Sequence, residues 1–224
     1  MGLFSIFKKQ PREPLDKEDW EFEWQRDNWC ETFSEPEAQR KVLEYWQKYR
    51  HLDEILEATN LSEESVVLDV GCGISTVLHY VPGERFGIDP LGERYTEIYA
   101  YPEGVTIQRG YGEDVPFDDA KFDVVFSSNC IDHTTSPEQT VAEVTRVLKP
   151  NGHFVLTCEV FDKDHGQRNE GHPYSMTKDR LLGLVEGFQM LEHWVSPWIG
   201  LRNFVLGNPG TKQHEHIMLL KKVV

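Results

Sequence analysis

Two acidic residues and a pair of glycines have the types and spacing that a nucleoside site requires. An apolar run over residues 66–68 leads to Asp69, and the chain then breaks into Gly71-Cys72-Gly73. A second short apolar run ends in Asp89, eighteen residues after Gly71. A glycine-rich turn lets a ligand touch the backbone, and an acid ending the next strand accepts hydrogen bonds from ribose hydroxyls. The spacing therefore predicts a nucleoside-binding site on an α/β fold.

The residues after this turn argue against a dinucleotide. The fingerprint for a cofactor with a pyrophosphate is G-x-G-x-x-G, and Thr76 occupies the place of the third glycine. A lone G-x-G is a weak signal, so the neighbouring segments must identify the ligand. A nicotinamide-dependent oxidoreductase remains the alternative from another enzyme class.

Four segments occur in the order and at the spacing of one enzyme family. They are VVLDVGCGIST at residues 66–76, GYGEDVPF at 110–117, FDVVFSSNCIDH at 122–133 and EVTRVLKPNGHFVLT at 143–157. Together they resemble the class I S-adenosylmethionine-dependent methyltransferases. The resemblance implies S-adenosylmethionine as the cofactor, methyl transfer as the activity and a Rossmann-like fold.

Strands and helices are predicted to alternate along the chain. Strands are expected at residues 66–70, 85–88, 105–108, 122–127, 153–160, 188–194 and 214–223. Helices are expected at residues 36–58, after 74, from 93, at 137–148 and at 177–186. Such alternation indicates a parallel sheet covered by helices. With the resemblance, it predicts a Rossmann-like three-layer α/β/α sandwich whose mostly parallel seven-stranded sheet has an antiparallel last strand.

The resemblance places the cofactor at the ends of the first strands. The helix expected after Gly73 would direct its positive N-terminus at the methionine carboxylate. Asp69 would orient the turn or accept from the methionine amine, and Asp89 would hold the ribose. Capping or turn formation is the alternative role for both acids. The predicted cofactor-binding residues are Asp69, Gly71, Cys72, Gly73, Asp89, Pro90, Gly112, Glu113, Ser128 and Asn129.

The adenine contact is predicted from the loop at Gly112 and Glu113, chiefly through its backbone. The chain departs from the family here, because Tyr111 stands where an Asp that meets the adenine amino group is common. Stacking by Tyr111 is one replacement for that contact. Hydrogen bonding by Glu113 or Asp114 is the other.

His133 is the candidate general base, with Asp132 as the residue that orients it. Both follow the fourth predicted strand, where the reactive methyl group would lie. Methyl transfer mainly requires positioning of the acceptor, but an oxygen or nitrogen acceptor also loses a proton. A histidine has a pKa near neutrality and suits that step. The alternative is that His133 only caps the next helix.

Composition and charge restrict the function classes. The chain has 224 residues, with 23 basic and 38 acidic residues and a net charge of −15. Nucleic-acid binding is therefore not expected, since phosphate backbones attract basic surfaces. The four cysteines form no C-x-x-C pair, and neither a signal peptide nor a membrane-spanning run is evident. We expect a cytoplasmic enzyme acting on a small molecule, and the sequence leaves its oligomeric state open.

The N-terminal residues differ from the rest of the chain. We predict an arm over residues 1–35 and a methyltransferase domain over residues 36–224. The apolar residues within 1–9 favour either weak membrane contact or a frayed terminus. The aromatic residues within 20–29 favour a lid over the site, with plain packing as the alternative.

The acceptor is the least determined part of the prediction. The loop at residues 162–176 is polar, and it would shape the acceptor pocket. No metal is predicted, because its acids and histidines lack a tight ligand spacing. The segments GIDPLGERY and SNCIDHTTSP resemble family members of cell-surface sugar synthesis, which favours a sugar or glycan precursor. Quinone, lipid and other metabolite acceptors are the alternatives, and O-, N- and C-methylation all stay open. A cofactor-binding regulator that has lost turnover is the alternative outside enzymes.

Overall fold

One central sheet organises the chain, of which the computed structural model describes residues 17–49, 51–164, 173, 175–197 and 214–223. Its strands are β1 (Val66–Val70), β2 (Glu84–Asp89), β3 (Val105–Arg109), β4 (Phe122–Ser128), β5 (Leu148–Val160), β6 (Phe188–Pro197) and β7 (His214–Lys222). Their order across the sheet is β3-β2-β1-β4-β5-β7-β6. Strands β1 to β5 pair in parallel, whereas β7 is antiparallel to both β5 and β6. The predicted sheet with an antiparallel last strand is confirmed.

Helices cover both faces of this sheet. They are α1 (Lys17–Gln25), α2 (Glu35–Gln47), α3 (Leu52–Thr59), α4 (Gly92–Ile98), α5 (Pro137–Val147) and α6 (Lys178–Leu184), with a π-helical segment (Arg26–Cys30) after α1. One apolar cluster joins the sheet to α5 and α6 through side chains such as Val144 and Leu181. A second cluster joins the other face to α2, α3 and α4 through Val42, Leu52 and Tyr95. These two cores confirm the three-layer sandwich.

The helix predicted after residue 74 is wrong. The chain forms only a 3-10 turn there, Val77–His79. The Thr76 hydroxyl begins this turn by accepting a hydrogen bond from the Leu78 N–H at 3.1 Å. The His79 ring then contacts the hydroxyl of Tyr99, the residue after α4, at 2.8 Å. One turn lacks the aligned peptide dipoles of a helix, so a helix N-terminus does not support the predicted carboxylate contact, which stays a prediction.

The helix predicted over residues 36–58 is two helices. His51 separates them in the left-handed region, at φ 64°. Its ring stacks on Trp194 of β6 with the ring centroids 4.6 Å apart. Tyr49 turns towards β7, where its hydroxyl donates to Glu215. Contacts with the sheet therefore override the helical periodicity at this point.

Two further predictions concern strand and loop boundaries. Strand β5 begins at Leu148 rather than at residue 153, because Leu148 already pairs with Phe122 before a register shift in β4. Asn151, which lies between the predicted helix and the predicted strand, has φ 63° and belongs to this irregular stretch. The predicted membrane contact at residues 1–9 lies outside the described residues, as does most of the loop at 162–176.

Candidate active site

One cavity gathers the residues predicted to bind the cofactor. It lies where the parallel strands β1, β2 and β4 end, and its lining includes Asp69, Asp89 and Ser128 from these ends. The three strands are neighbours, since Asp69 is in register with Gly87 of β2 and Phe126 of β4. Its volume of about 760 Å³ is typical of a small-molecule site. The predicted residues that line it are Asp69, Gly71, Cys72, Gly73, Asp89, Pro90, Gly112, Glu113, Ser128, Asn129 and His133.

Asp69 fixes the turn that follows β1. It is 2% exposed, and its Oδ2 accepts a hydrogen bond from the Thr76 hydroxyl at 2.6 Å. Burial raises the pKa of Asp69 to about 7, although the bond from Thr76 opposes that rise. A cationic group bound nearby would favour the ionised carboxylate.

Asp89 ties the end of β2 to the glycine turn. Its Oδ1 accepts from the Leu91 N–H at 2.9 Å, and its Oδ2 accepts from the Gly73 N–H at 3.1 Å. Each carboxylate oxygen has a second lone pair, so both oxygens can also accept from ribose hydroxyls. Burial raises the pKa of Asp89 to about 6, against the lowering effect of these two bonds.

The two glycines of the turn are required by their backbone and by close packing. Gly71 has φ 72° and Gly73 has φ 52°, a region that L side chains rarely adopt. A Cβ added to Gly71 would lie 2.1 Å from Cys130 Sγ. A Cβ added to Gly73 would lie 3.0 Å from Gln25 Nε2 of α1. The turn is therefore packed between β4 and α1.

The Glu113 side chain holds the residues just before α5 by hydrogen bonds. Its Oε1 accepts from the Thr135 N–H at 2.6 Å, the Thr135 hydroxyl at 2.8 Å and the Ser136 N–H at 3.1 Å. Burial raises the pKa of Glu113, but these bonds outweigh burial and leave the pKa below its usual value. Tyr111 is 41% exposed, and its hydroxyl donates to Glu18 at 3.3 Å. The loop backbone is thus better placed than the Glu113 side chain to meet an adenine.

His133 is paired with Glu21 of α1. Its Nδ1 lies 3.3 Å from Glu21 Oε1. Burial lowers the pKa of His133, but the bond to Glu21 and the charge of Asp132 outweigh burial and raise it. Asp132 is 1% exposed and is not among the described residues that line the cavity. No sequence signal points to Glu21, which lies 112 residues from His133 along the chain.

Helix α1 lies against the cavity. Arg94 of α4 holds it by an ion pair with Asp19, with 2.9 Å between Nη1 and Oδ1. The Arg94 guanidinium also lies 3.9 Å from the centre of the Phe22 ring. That ring stacks on Tyr95, with the centroids 6.0 Å apart. The α1 residues that line the cavity are Lys17, Glu18, Trp20, Glu21, Trp24 and Gln25.

The cavity extends to β5 and β7, where the sequence predicted no site residues. Its lining there comes from α2 and from the two strands: Tyr45, Trp46, Tyr49, Thr157, Glu159 and Glu215. The three aromatic residues lie within the helix predicted over residues 36–58, to which no site role was assigned. A signal was available for the two glutamates, because a charged residue inside an apolar strand is unusual.

The residues present fit S-adenosylmethionine. Three acceptor oxygens line the cavity, buried and without a hydrogen-bond partner among the described residues: Asp69 Oδ1, Asn129 Oδ1 and Gln25 Oε1. The methionine end of the cofactor carries an ammonium group, whose N–H donors need such acceptors. Asp89 retains acceptor capacity for ribose hydroxyls, as described above.

The strand order and the glycine turn define a class of protein. They are those of Rossmann-like proteins that bind a nucleoside cofactor beyond the carboxyl ends of the strands. Residues 68–156 match a family described as "Methyltransferase domain". This match of residues 68–156 to a methyltransferase domain agrees with the resemblance of the four motifs to class I S-adenosylmethionine-dependent methyltransferases. The family implies S-adenosylmethionine as the cofactor, which confirms that expectation.

Relatives with different substrates share this domain. The chain is 28% identical over 160 residues to demethylmenaquinone methyltransferase of Symbiobacterium thermophilum. This match covers 65% of this chain and 61% of that protein. It is 31% identical over 126 residues to glycine/sarcosine/dimethylglycine N-methyltransferase of Actinopolyspora halophila. This second match covers 51% of this chain and 22% of that protein. The chain thus spans less than two thirds of these relatives.

A solved structure shows the same fold. It is the complex of the Haloferax volcanii Trm112 methyltransferase activator with a putative methyltransferase. The alignment has a TM-score of 0.63 and covers 95% of this chain and 100% of that chain, at 15% identity. Identity at this level supports the fold alone.

Membrane spans and metal clusters are both absent from the described residues. No helix among them is long and apolar enough to cross a membrane. No group of three or more His, Cys, Asp or Glu residues within the described ranges has the arrangement of a metal site.

Proposed function

We propose that this chain transfers the methyl group of S-adenosylmethionine to a small-molecule acceptor. The observation that carries the proposal is the single cavity that joins the nucleoside-type turn to a second, separately lined end. A cofactor and an acceptor can therefore lie side by side in one cavity. Such positioning supplies much of the rate of an in-line displacement.

The residues at the cofactor end have distinct roles in this proposal. The cofactor, when bound, supplies an activated methyl group on a sulfonium. Asp89 accepts from the ribose hydroxyls, and Asp69 with Asn129 accepts from the methionine ammonium. Gly71 and Gly73 let the backbone approach the ligand. Cys72, Pro90, Gly112 and Ser128 complete the wall by contact rather than by charge.

His133 is the candidate base for an acceptor that loses a proton. Its Nδ1 is engaged by Glu21, so the other ring nitrogen, Nε2, would take the proton in this proposal. Helix α1 acts as a lid in this proposal, because it contributes both Glu21 and the residues that face Gly73. The arm predicted over residues 1–35 thus includes part of the site.

The direct test is methyl transfer by the purified chain. Formation of S-adenosylhomocysteine is followed with S-adenosylmethionine and a panel of small amines, sugars and quinols. We expect turnover with one class, loss of turnover in Asp89→Asn and unchanged turnover in Asp118→Asn, since Asp118 is exposed and outside the cavity. The predicted sugar or glycan precursor stays a prediction that this panel examines.

Turnover, combined with binding measurements, separates the methyltransferase from its two alternatives. Tight binding of S-adenosylhomocysteine with no transfer to any acceptor would favour a cofactor-binding regulator. Absence of that binding, with a fluorescence change on addition of NADH, would favour a nicotinamide-dependent oxidoreductase.

A further inference from the structure

The glycine turn after β1 uses its own N–H groups inside the protein. Gly71 and Cys72 both donate to the Ile88 carbonyl, at 2.8 Å and 3.1 Å. Gly73 donates to Asp89 Oδ2 at 3.1 Å. Each backbone N–H group is a single donor. A carboxylate bound at this turn therefore needs a donor from outside these three residues.

Gln25, the last residue of α1, presents such a donor to the turn. Its Nε2 lies 3.0 Å from the position that a Cβ would take on Gly73, whereas its Oε1 lies 3.9 Å from that position. The amide nitrogen is thus the end of the side chain that faces the turn, and both residues line the cavity. An amide N–H that donates to a carboxylate forms a charge-assisted hydrogen bond, which is stronger than a neutral one.

The oxygen of the same amide lacks a partner. Gln25 Oε1 is buried and accepts no hydrogen bond within the described part of the chain. A buried acceptor without a partner is costly, so an unmet oxygen beside a cavity indicates a ligand that donates. An ammonium group next to the bound carboxylate would meet this need. One carboxamide can therefore serve both charged groups of an α-amino acid.

The backbone around Gln25 adopts a rare form. At this residue α1 passes directly into the π-helical segment Arg26–Cys30. Asn28 closes the junction, because its Nδ2 donates to the Trp24 carbonyl at 2.6 Å. Trp29 is 2% exposed and anchors the segment in the second apolar cluster. Helical turns of the π type are rare and are frequently found at functional sites.

The turn opposite Gln25 is held by the rest of the protein. Gly73 has its N–H bound by Asp89, and its carbonyl accepts from the Tyr101 hydroxyl at 2.9 Å. On the other side, α1 is held to α4 by the ion pair of Arg94 described above. Both partners are thus positioned before a ligand arrives, which lowers the entropic cost of binding.

We infer that Gln25 binds the methionine end of the cofactor, with Nε2 donating to its carboxylate and Oε1 accepting from its ammonium group. This assignment deepens the proposed function and rests on it. Gln25 lies outside residues 68–156, which match the methyltransferase domain, so the arm before that domain completes the cofactor site. Helix α1 therefore closes fully only over a ligand that carries the amino-acid end.

The test removes the amino-acid end from the ligand. S-adenosylhomocysteine and 5′-methylthioadenosine share the adenosine and its 5′ sulfur, but only the first carries the carboxylate and the ammonium. Both are titrated calorimetrically into the full chain, into Gln25→Leu and into Gln47→Leu. Gln47 is the matched control, because it is the last residue of α2, is exposed and is outside the described lining of the cavity.

The two ligands should respond differently to the loss of the amide. We expect Gln25→Leu to weaken S-adenosylhomocysteine by at least about tenfold and 5′-methylthioadenosine by less than about twofold. Gln47→Leu should change neither affinity. Unchanged binding of S-adenosylhomocysteine in Gln25→Leu, or equal weakening of the two ligands, would overturn the inference. The proposed function fails separately, if neither ligand binds the unaltered chain.

Protection of α1 from a protease gives a second readout that needs no variant. Trypsin cleavage after Arg26 reports the opening of α1, since Arg26 adjoins Gln25. Saturating S-adenosylhomocysteine should slow this cleavage several-fold more than saturating 5′-methylthioadenosine does. Should Gln25→Leu not fold, this comparison on the unaltered chain decides the matter. Equal slowing by the two ligands would contradict the inference.

Discussion

Glu21 Oε1 and His133 Nδ1 lie 3.3 Å apart, which joins the first helix to the segment after β4. Both side chains are about a quarter exposed, at 28% and 24%. The pair links the position of α1 to the protonation of the candidate base. A change in either residue should therefore affect the other in a measurable way.

Replacing Glu21 should lower the pKa of His133. The carboxylate favours the imidazolium form, and its removal leaves burial, which acts in the opposite direction. In Glu21→Gln the neutral imidazole should thus persist to lower pH than in the unaltered chain. NMR titration of the His133 ring protons measures this without an acceptor. Glu23→Gln, on the same helix, is the control, and an unchanged or higher His133 pKa in Glu21→Gln would contradict the pairing.

Asp69→Asn should stabilise the fold at alkaline pH and weaken cofactor binding. The pKa of Asp69 is raised from 3.8 to about 7, so its protonated form favours folding at acid pH. That contribution is lost as the pH rises from about 4 to about 7, and the ionised group then opposes folding. Thermal unfolding at pH 8.5 should show a gain of roughly 3 °C or more, with little change at pH 5.

The control for this prediction is Asp118→Asn, at an exposed site where no comparable pH dependence is expected. A loss of stability at pH 8.5 in Asp69→Asn would show that the fold requires the ionised carboxylate.

Gly71→Ala should destabilise the chain strongly. The new methyl group would lie 2.1 Å from Cys130 Sγ, and φ 72° is itself unfavourable for alanine. We expect a loss of at least about 2 kcal/mol in unfolding free energy, measured by chemical denaturation. Gly183→Ala in α6 is the matched control, since its Cβ would meet nothing within 4 Å. That substitution should be neutral or stabilising by up to about 1 kcal/mol, because alanine favours a helix.

Phe22→Ala should loosen α1 from the site. The substitution removes the ring that lies between Arg94 and Tyr95. Cleavage by a protease within residues 17–30 should accelerate several-fold, and bound S-adenosylhomocysteine should slow it in the unaltered chain. Trp20→Ala is the control on the same helix, at 47% exposure. If Phe22→Ala is cleaved no faster than the unaltered chain, α1 is held by other contacts.

Local patterns predicted the sheet and the cofactor end of the site well. Strands β1 and β4 are apolar runs with turn residues around them, and Gly71 and Asp89 stand where local backbone geometry requires them. Contacts between distant segments could not be predicted in this way. The pairing of Glu21 with His133 and the break at His51 both depend on packing across more than a hundred residues. The helix expected after Gly73 failed because tertiary contacts of His79 prevail over local propensity.

Binding of S-adenosylhomocysteine to the unaltered chain and to Asp89→Asn, measured by isothermal titration at pH 8, tests the central claim most directly. We expect micromolar-range binding that weakens by about a hundredfold or more in Asp89→Asn, because the carboxylate accepts from the Gly73 N–H of the glycine turn and, in the proposed function, from the ribose hydroxyls. Asp118→Asn should bind like the unaltered chain, and circular dichroism should show that both variants are folded. Equal affinity in all three proteins, or no binding to any of them, would contradict the assignment of this cavity to the cofactor.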